Sequence, residues 1–215
     1  MNWEMVGHEW AVTLLRRGLA SGRVSHAYLF CGLPQVGKTR LALKLAQAPN
    51  CTQPDPPCGQ CDSCKKIWEG THTDVRLVAG EGAGGSIKIG QIRDLQREAV
   101  LRPYEGRRRV FVLERIDLAS IEAANSLLKT LEEPPGHVVL ALTAVHAEAL
   151  PATVVSRCQR LDLRPVAQAT LEAALAGRGV PPEKARLLAR LSGGRVGWAL
   201  EASRDEALLA GLTGD

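Results

Sequence analysis

Gly32-Leu33-Pro34-Gln35-Val36-Gly37-Lys38-Thr39 has the spacing G-x-x-x-x-G-K-[ST], and the chemistry this spacing serves is the holding of a phosphate chain. Gly32 and Gly37 let the backbone turn tightly, so that N–H groups of the loop and of the next helix face the anion. Lys38 would neutralise the terminal phosphates, and the Thr39 hydroxyl would reach a magnesium ion. A Gly-Pro turn with a chance lysine is the plain alternative. The context argues against it: the apolar run 27–31 reads as a buried strand and 40–46 as a helix, the strand–loop–helix order the motif requires. ATP with magnesium is therefore an expected ligand. Whether it is hydrolysed is a separate question.

Cys51, Cys58, Cys61 and Cys64 form a second group, C-x6-C-x2-C-x2-C. Two-residue gaps let successive thiolates converge on one ion, and four thiolates satisfy tetrahedral zinc with no position left for a substrate, so a structural zinc site is expected. An iron–sulfur cluster, an oxidised pair and unligated thiols are the other readings. Neighbouring charges, Asp55 and Asp62 against Lys65 and Lys66, nearly cancel, which gives this segment no electrostatic claim on nucleic acid. Cys31 and Cys158 stand apart, and Cys31 reads as a small buried strand residue.

The rest of the chain must position these residues. Its 215 residues suit one large domain or one plus a small appendage. No apolar run is long enough to span a bilayer and no signal-peptide pattern opens the chain, so a cytoplasmic location and no membrane partner are expected. The net charge of +4 permits a nucleic-acid partner without arguing for one, and at 4% aromatic residues base stacking on an aromatic platform is not expected. Residues 6–22 carry Val6, Trp10, Leu14, Leu15 and Leu19 at helical spacing. Residues 49–64, rich in Pro, Gly and Cys, read as irregular, and the glycine-rich 80–86 as a mobile loop. Strands are expected at 74–78, 110–113, 138–142 and 159–163, with helices at 89–100 and 121–133 between them. This alternation predicts an α/β fold with a parallel sheet covered on both faces. After Pro165 the apolar pattern is helical only (Leu171 and Leu175; Ala185, Leu188 and Leu191; Val196, Leu200 and Leu208). The expected division is a core over 1–163, with the cysteine insert at about 50–65, and a small all-helical domain over 164–215, hinged at 163–165.

Several strings carry a family resemblance: His26-Ala27-Tyr28-Leu29-Phe30 before the phosphate loop, the four-cysteine insert after it, Asn125-Ser126-Leu127-Leu128-Lys129-Thr130-Leu131-Glu132-Glu133-Pro134-Pro135, and Ser156-Arg157-Cys158. In order, from about Val6 to the C-terminus, they resemble the bacterial DNA polymerase III clamp loader subunits. The resemblance implies an AAA+ P-loop NTPase core with a helical lid. It also implies membership of a hetero-pentamer with gamma/tau and delta subunits, which opens a sliding clamp and places it on primed DNA. A further helical collar domain is usual in the family. This chain ends at Asp215, before it, so stable ring assembly by this chain alone is not expected.

Departures from the family's motor pattern bear on activity. Where the motor (gamma/tau) has an Asp-Glu pair after the strand 110–113, this chain has Glu114 and Arg115; Glu114 remains a candidate to help hold a metal, but Arg115 accepts no proton from water. Thr143 takes the place of the residue that senses the γ-phosphate, though a strand-terminal threonine needs no such role. Gly197 falls where the lid arginine of the motor would lie, and Arg195 is expected to face elsewhere. These features resemble the delta-prime member, which implies nucleotide bound weakly or without efficient hydrolysis, and Arg157 acting in trans as an arginine finger on a neighbouring ATPase subunit. A surface salt bridge is the alternative for Arg157. An active ATP-hydrolysing motor is the alternative for the chain. Arg107, Arg108 and Arg109 read as a solvated loop before a DNA contact.

Overall fold

The computed structural model describes residues 3–81 and 85–205. Its apolar runs form one parallel sheet of β1 (Ala27–Cys31), β2 (Val75–Val78), β3 (Arg109–Leu113), β4 (Val138–Ala144) and β5 (Gln159–Asp162), in the order β2-β3-β4-β1-β5. Every residue of β1, β3 and β4 is buried, which is why these strands read as unbroken apolar runs. Alternate side chains feed two cores. Leu29, Phe111, Leu113, Leu140 and Leu142 face one, with α4 (Ile89–Ala99) and α5 (Ile121–Glu132). Tyr28, Phe30, Val110, Val112 and Ala141 face the other, with α1 (Glu9–Ala20) and α2 (Lys38–Asn50). The Ser120 side chain caps α5 by accepting from Ala123 N–H at 3.2 Å, and Pro134-Pro135 follow its end.

β1 lies between β4 and β5, and the chain leaves it for the far edge of the sheet. The C-terminal ends of the central strands therefore open a crevice beside the phosphate loop, where such sheets bind ligands. After the four-residue α6 (Ala152–Val155) and β5, the helices α7 (Gln168–Ala176), α8 (Pro182–Leu191) and α9 (Val196–Ala202) build a third core around Leu171, Leu175, Leu188 and Ala199. Val166 N–H donates to Gly194 O at 3.0 Å. A Cβ on Gly194 would stand 2.6 Å from Val166 O, so glycine is what permits this approach.

Three expectations need correction. The first helix begins at Glu9, and its buried face is Ala11 and Leu15, while Trp10 and Leu14 are exposed; small Ala11, not the indole, lies against the core. Residues 51–61 are irregular, as their composition suggests, but both ends of the expected 49–64 segment are helical. α2 runs through Pro49, which sits next to the helix end and removes a single backbone donor, and α3 (Asp62–Glu69) starts inside the cysteine segment. Arg109 is no loop residue: it opens β3 and pairs, buried, with Asp74 (Nη2 to Oδ1, 3.0 Å). Of the glycine-rich loop, Glu81 and Ser86 pair as an antiparallel bridge, while residues 82–84 lie outside the described residues, as does Leu208 of the last helical pattern. Among the described residues no helix is long and apolar enough to cross a membrane.

Candidate nucleotide cleft and cysteine cage

The phosphate loop bends through three left-handed residues, Gly32 (φ 144°), Gln35 (φ 60°) and Gly37 (φ 112°). A Cβ at Gly32 would lie 2.3 Å from Leu163 O, so only glycine fits between the loop and the chain leaving β5. Lys38 opens α2 and folds back over the loop, its Nζ donating to Gly32 O at 2.6 Å and to Leu33 O at 2.7 Å. Burial, and then the nearby Arg115 guanidinium, lower the Lys38 pKa to about 8. A cation held under this pressure gains from an anion, and the start of α2 adds its own partial positive charge.

Gly37, Lys38, Thr39, Glu114 and Thr143 line one cleft of about 620 Å³, a size suited to a small-molecule ligand. The Thr39 hydroxyl donates to Glu114 Oε1 at 2.5 Å. These two side-chain oxygens meet where the strand end faces the helix start, and oxygen donors of this kind suit a hard divalent cation. Thr143 is buried near the end of β4, and its Oγ1 accepts from Arg115 N–H at 3.1 Å. Arg115 adopts a left-handed φ of 52° and turns its guanidinium to Asp117 (Nε to Oδ1, 3.1 Å) while still lining the cleft. Asp117 itself lies beyond β3, in the 3₁₀ turn Ile116–Leu118.

The helices after β5 close the other side. Gly197 N–H donates to Gln35 O at 2.8 Å, and Gln35 Nε2 donates to Glu201 Oε2 at 2.9 Å. A Cβ on Gly197 would already be 3.1 Å from Gln35, leaving little room there for a long side chain. Arg195 sits away from the cleft, its guanidinium over Trp198 at 5.8 Å. The arginines that do line this wall, Arg178 and Arg204, carry no local motif, and sequence reasoning missed them. It also missed Trp68, which lines the cleft from α3, with Arg40 stacked over its ring at 5.2 Å.

Arg157 does not line the cleft. It follows α6 at the surface, pairing with Glu132 (Nη2 to Oε1, 2.8 Å) and donating from Nη1 to Thr153 O at 2.9 Å. Glu132 belongs to the Lys129–Glu133 string, so two of the motifs read from the sequence meet in one ion pair. Cys31 is buried in β1, as expected, and burial pushes its thiol up to about 11.

The four clustered cysteines converge: all four Sγ atoms lie within 4.8 Å of one another, with Cys51–Cys61 at 3.9 Å and Cys58–Cys64 at 4.0 Å. A tetrahedral ion with metal–sulfur bonds of about 2.3 Å sets sulfurs about 3.8 Å apart, so the cage fits one such ion. A multi-iron cluster interposes several atoms and needs wider spacing, and every cysteine is free of disulfides. N–H groups of Cys61 (3.2 Å) and Gln60 (3.4 Å) donate to Cys58 Sγ, an arrangement that favours thiolate. Burial works against ionisation of Cys61, but surrounding donors, including Thr52, bring it down to about 6.

The chain matches the family described as "DNA polymerase III, delta subunit" over residues 7–167. It is 36% identical to the DNA polymerase III subunit tau of Escherichia coli over 216 residues, covering 97% of this chain and 33% of that one. To subunit delta' of Bacillus subtilis it is 38% identical over 194 residues, 90% of this chain and 58% of that one. The chain thus spans only about a third to just over half of these relatives. Among solved structures it resembles a DNA polymerase III gamma subunit-related protein of Thermotoga maritima (TM-score 0.63, 21% identity, 92% of this chain and 60% of that one). It also resembles the RuvB Holliday junction branch migration motor of Thermotoga maritima (TM-score 0.59, 16% identity, 96% and 64%). At these identities the structures speak for the fold, an AAA+ P-loop core. The sequence matches go further: this chain belongs to the DNA polymerase III, delta subunit family, and with it to the bacterial clamp loader subunits.

Proposed function

We propose that this chain is a delta-prime-like subunit of the bacterial replicative clamp loader, acting in the cytoplasm. In this reading residues 1–163 are the AAA+ core and 164–215 the lid. The chain binds ATP and magnesium through Gly32, Gly37, Lys38, Thr39, Glu114 and Thr143, and hydrolyses it poorly or not at all. Structural zinc occupies Cys51, Cys58, Cys61 and Cys64. Arg157 serves a neighbouring gamma/tau subunit in a hetero-pentamer that also contains delta, during loading of the sliding clamp onto primed DNA.

The observation that carries the reading is Arg115. It stands one residue past Glu114 on the wall of an otherwise complete nucleotide cleft, clasped by Asp117. The carboxylates that line the cleft among the described residues are all engaged: Glu4 with Arg40 and Lys44, Glu114 with Thr39, and Glu201 with Gln35. Each is therefore already positioned by a partner of this chain, and the residue that follows Glu114 is a cation that accepts no proton. When bound, the magnesium would neutralise phosphate charge; the chain's own part is to bind and orient the triphosphate through the loop and Lys38.

An active motor is the second reading, favoured by the intact Lys38–Thr39–Glu114 set and by the tau relative. ATP binding and turnover on the isolated chain, with Lys38→Ala as control, separate the two. Binding without turnover is expected. Steady turnover abolished by Lys38→Ala would make the chain a motor, and neither binding nor turnover would leave a scaffold.

A further inference from the structure

The cysteine cage and the nucleotide cleft share one short helix. Cys64 and Trp68 are four residues apart on α3 and so lie one above the other on one stripe of the helix. Cys64 is fully buried and contributes a thiol to the cage, whereas Trp68 is 51% exposed and lines the cleft. Ile67, three residues from Cys64 and next to it on the helix surface, packs into the core, and the Gln47 amide of α2 donates to Cys64 O at 2.7 Å. α2 is the helix whose first turn holds Lys38 and Thr39.

Trp68 is no part of the apolar cores, so burial does not explain an indole at this position. What holds it is Arg40, over its ring at 5.2 Å and bonded to Glu4 Oε2 at 3.3 Å; the Arg40 Nε is buried with no acceptor. Eight residues are too few for a helix to stand alone in water. α3 begins at Cys61 as N-cap and has Cys64 in its first turn, so two of the four thiols fix its start. With no ion between them, the four sulfurs are held only by weak S–H···S contacts and by N–H donors on Cys58, and as thiolates they would repel. The cage is thus one of the anchors that place Trp68, beside Ile67 in the core and Gln47 on Cys64 O.

We propose that Trp68 is a contact for the base or sugar of the bound nucleotide, and that metal in the cysteine cage, by anchoring α3, tightens nucleotide binding. The inference rests on the reading that the cleft binds a nucleotide. Coupling of this kind is reciprocal: ATP tightens metal binding by the same factor that metal tightens ATP.

The test is ATP affinity by calorimetry on the full chain, zinc-loaded and after a zinc-selective chelator in excess magnesium, for wild type, Trp68→Phe, Trp68→Ala and Lys38→Ala. Zinc removal is expected to weaken wild-type binding about tenfold, within the usual range of coupling between sites. Trp68→Ala is expected to weaken binding by a similar factor and to abolish the dependence on zinc, while Trp68→Phe retains most of both. Zinc affinity with and without ATP, measured against a chromophoric chelator, must change by the same factor. Wild-type affinity in Trp68→Ala would overturn the proposal. So would an equal loss on chelation in wild type and Trp68→Ala, which would mean that metal acts on the fold at large. Absence of ATP binding in zinc-loaded wild type, unchanged by Lys38→Ala, would instead overturn the nucleotide reading itself, and this inference with it.

Discussion

The Thr39 hydroxyl and Glu114 Oε1 stand 2.5 Å apart, joining the first turn of α2 to the residue just past β3. The two groups are 75 residues apart in the chain, and the parallel order of the sheet brings them together, because β3 and β1 both end at the same edge of the crevice. The next residue, Arg115, leaves the strand in a left-handed turn and gives its charge to Asp117. One strand end thus presents a carboxylate and, immediately after it, a cation.

If Glu114 is there for a metal ion, its loss should be felt only when magnesium is present. Glu114→Ala is expected to weaken ATP binding in magnesium by about 10–100-fold, the usual cost of losing support at a metal site. Binding in the absence of divalent cations should stay near the wild-type value. Calorimetry with and without magnesium reads both, and an equal loss in the two conditions would make Glu114 a structural partner of Thr39 alone.

Lys38 predicts a pH dependence. Burial and the Arg115 charge lower its pKa to about 8 in the free protein, and a bound triphosphate must raise it by favouring the charged form. ATP affinity should therefore be flat below about pH 8 and fall above it, because protonation then has to accompany binding. Arg115→Ala takes away the second of these pressures and should move the break to higher pH. A break that stays put would assign the shift to burial alone.

Much of this arrangement was legible in the sequence, for reasons that are local. A phosphate loop is a contiguous string between a strand and a helix, and four cysteines at short spacing have few ways to converge. The unbroken apolar runs at 110–113 and 138–142 announced a sheet buried on both faces. What stayed hidden depends on tertiary neighbours. Trp68, Arg178 and Arg204 reach the cleft only because α3 and the last helices fold against it, and no spacing around them says so. Trp10 looked like a core residue by periodicity, but the close partner of α1 is served by Ala11. Arg109, third in a run of like charges, is buried because Asp74 waits for it 35 residues earlier.

Asp74 supports a stability prediction. It is buried and accepts from the N–H groups of Tyr104, Glu105 and Gly106, each at 2.8 Å, as well as from Arg109. Burial alone would raise its pKa, but these backbone donors and Arg109 hold it below the ordinary carboxylate value. A depressed folded pKa means stability that is present above the unfolded value and lost as pH falls through the folded one. Asp74→Ala leaves Arg109 buried and three donors unpaired, so a loss of about 3–5 kcal/mol is expected by denaturant unfolding at neutral pH. A loss below about 1 kcal/mol would mean that the 102–109 turn reorganises around water.

Arg157 offers the sharpest separation of fold from function. Its side chain is 35% exposed and its partner Glu132 is half exposed, so the pair contributes no more than about 1 kcal/mol, and releasing the guanidinium toward a neighbouring subunit costs little. Arg157→Ala should accordingly leave the unfolding midpoint of the isolated chain almost unchanged. In a loader reconstituted with gamma/tau and delta subunits, the same variant should lower ATP turnover at the adjoining site by about 10³-fold or more, the range assigned to such fingers. Arg157→Lys should recover little, because a point charge does not reproduce the planar fork. Glu132→Gln frees the guanidinium without removing it and should preserve turnover, whereas a role confined to the ion pair would make Glu132→Gln and Arg157→Ala equally harmful or equally silent.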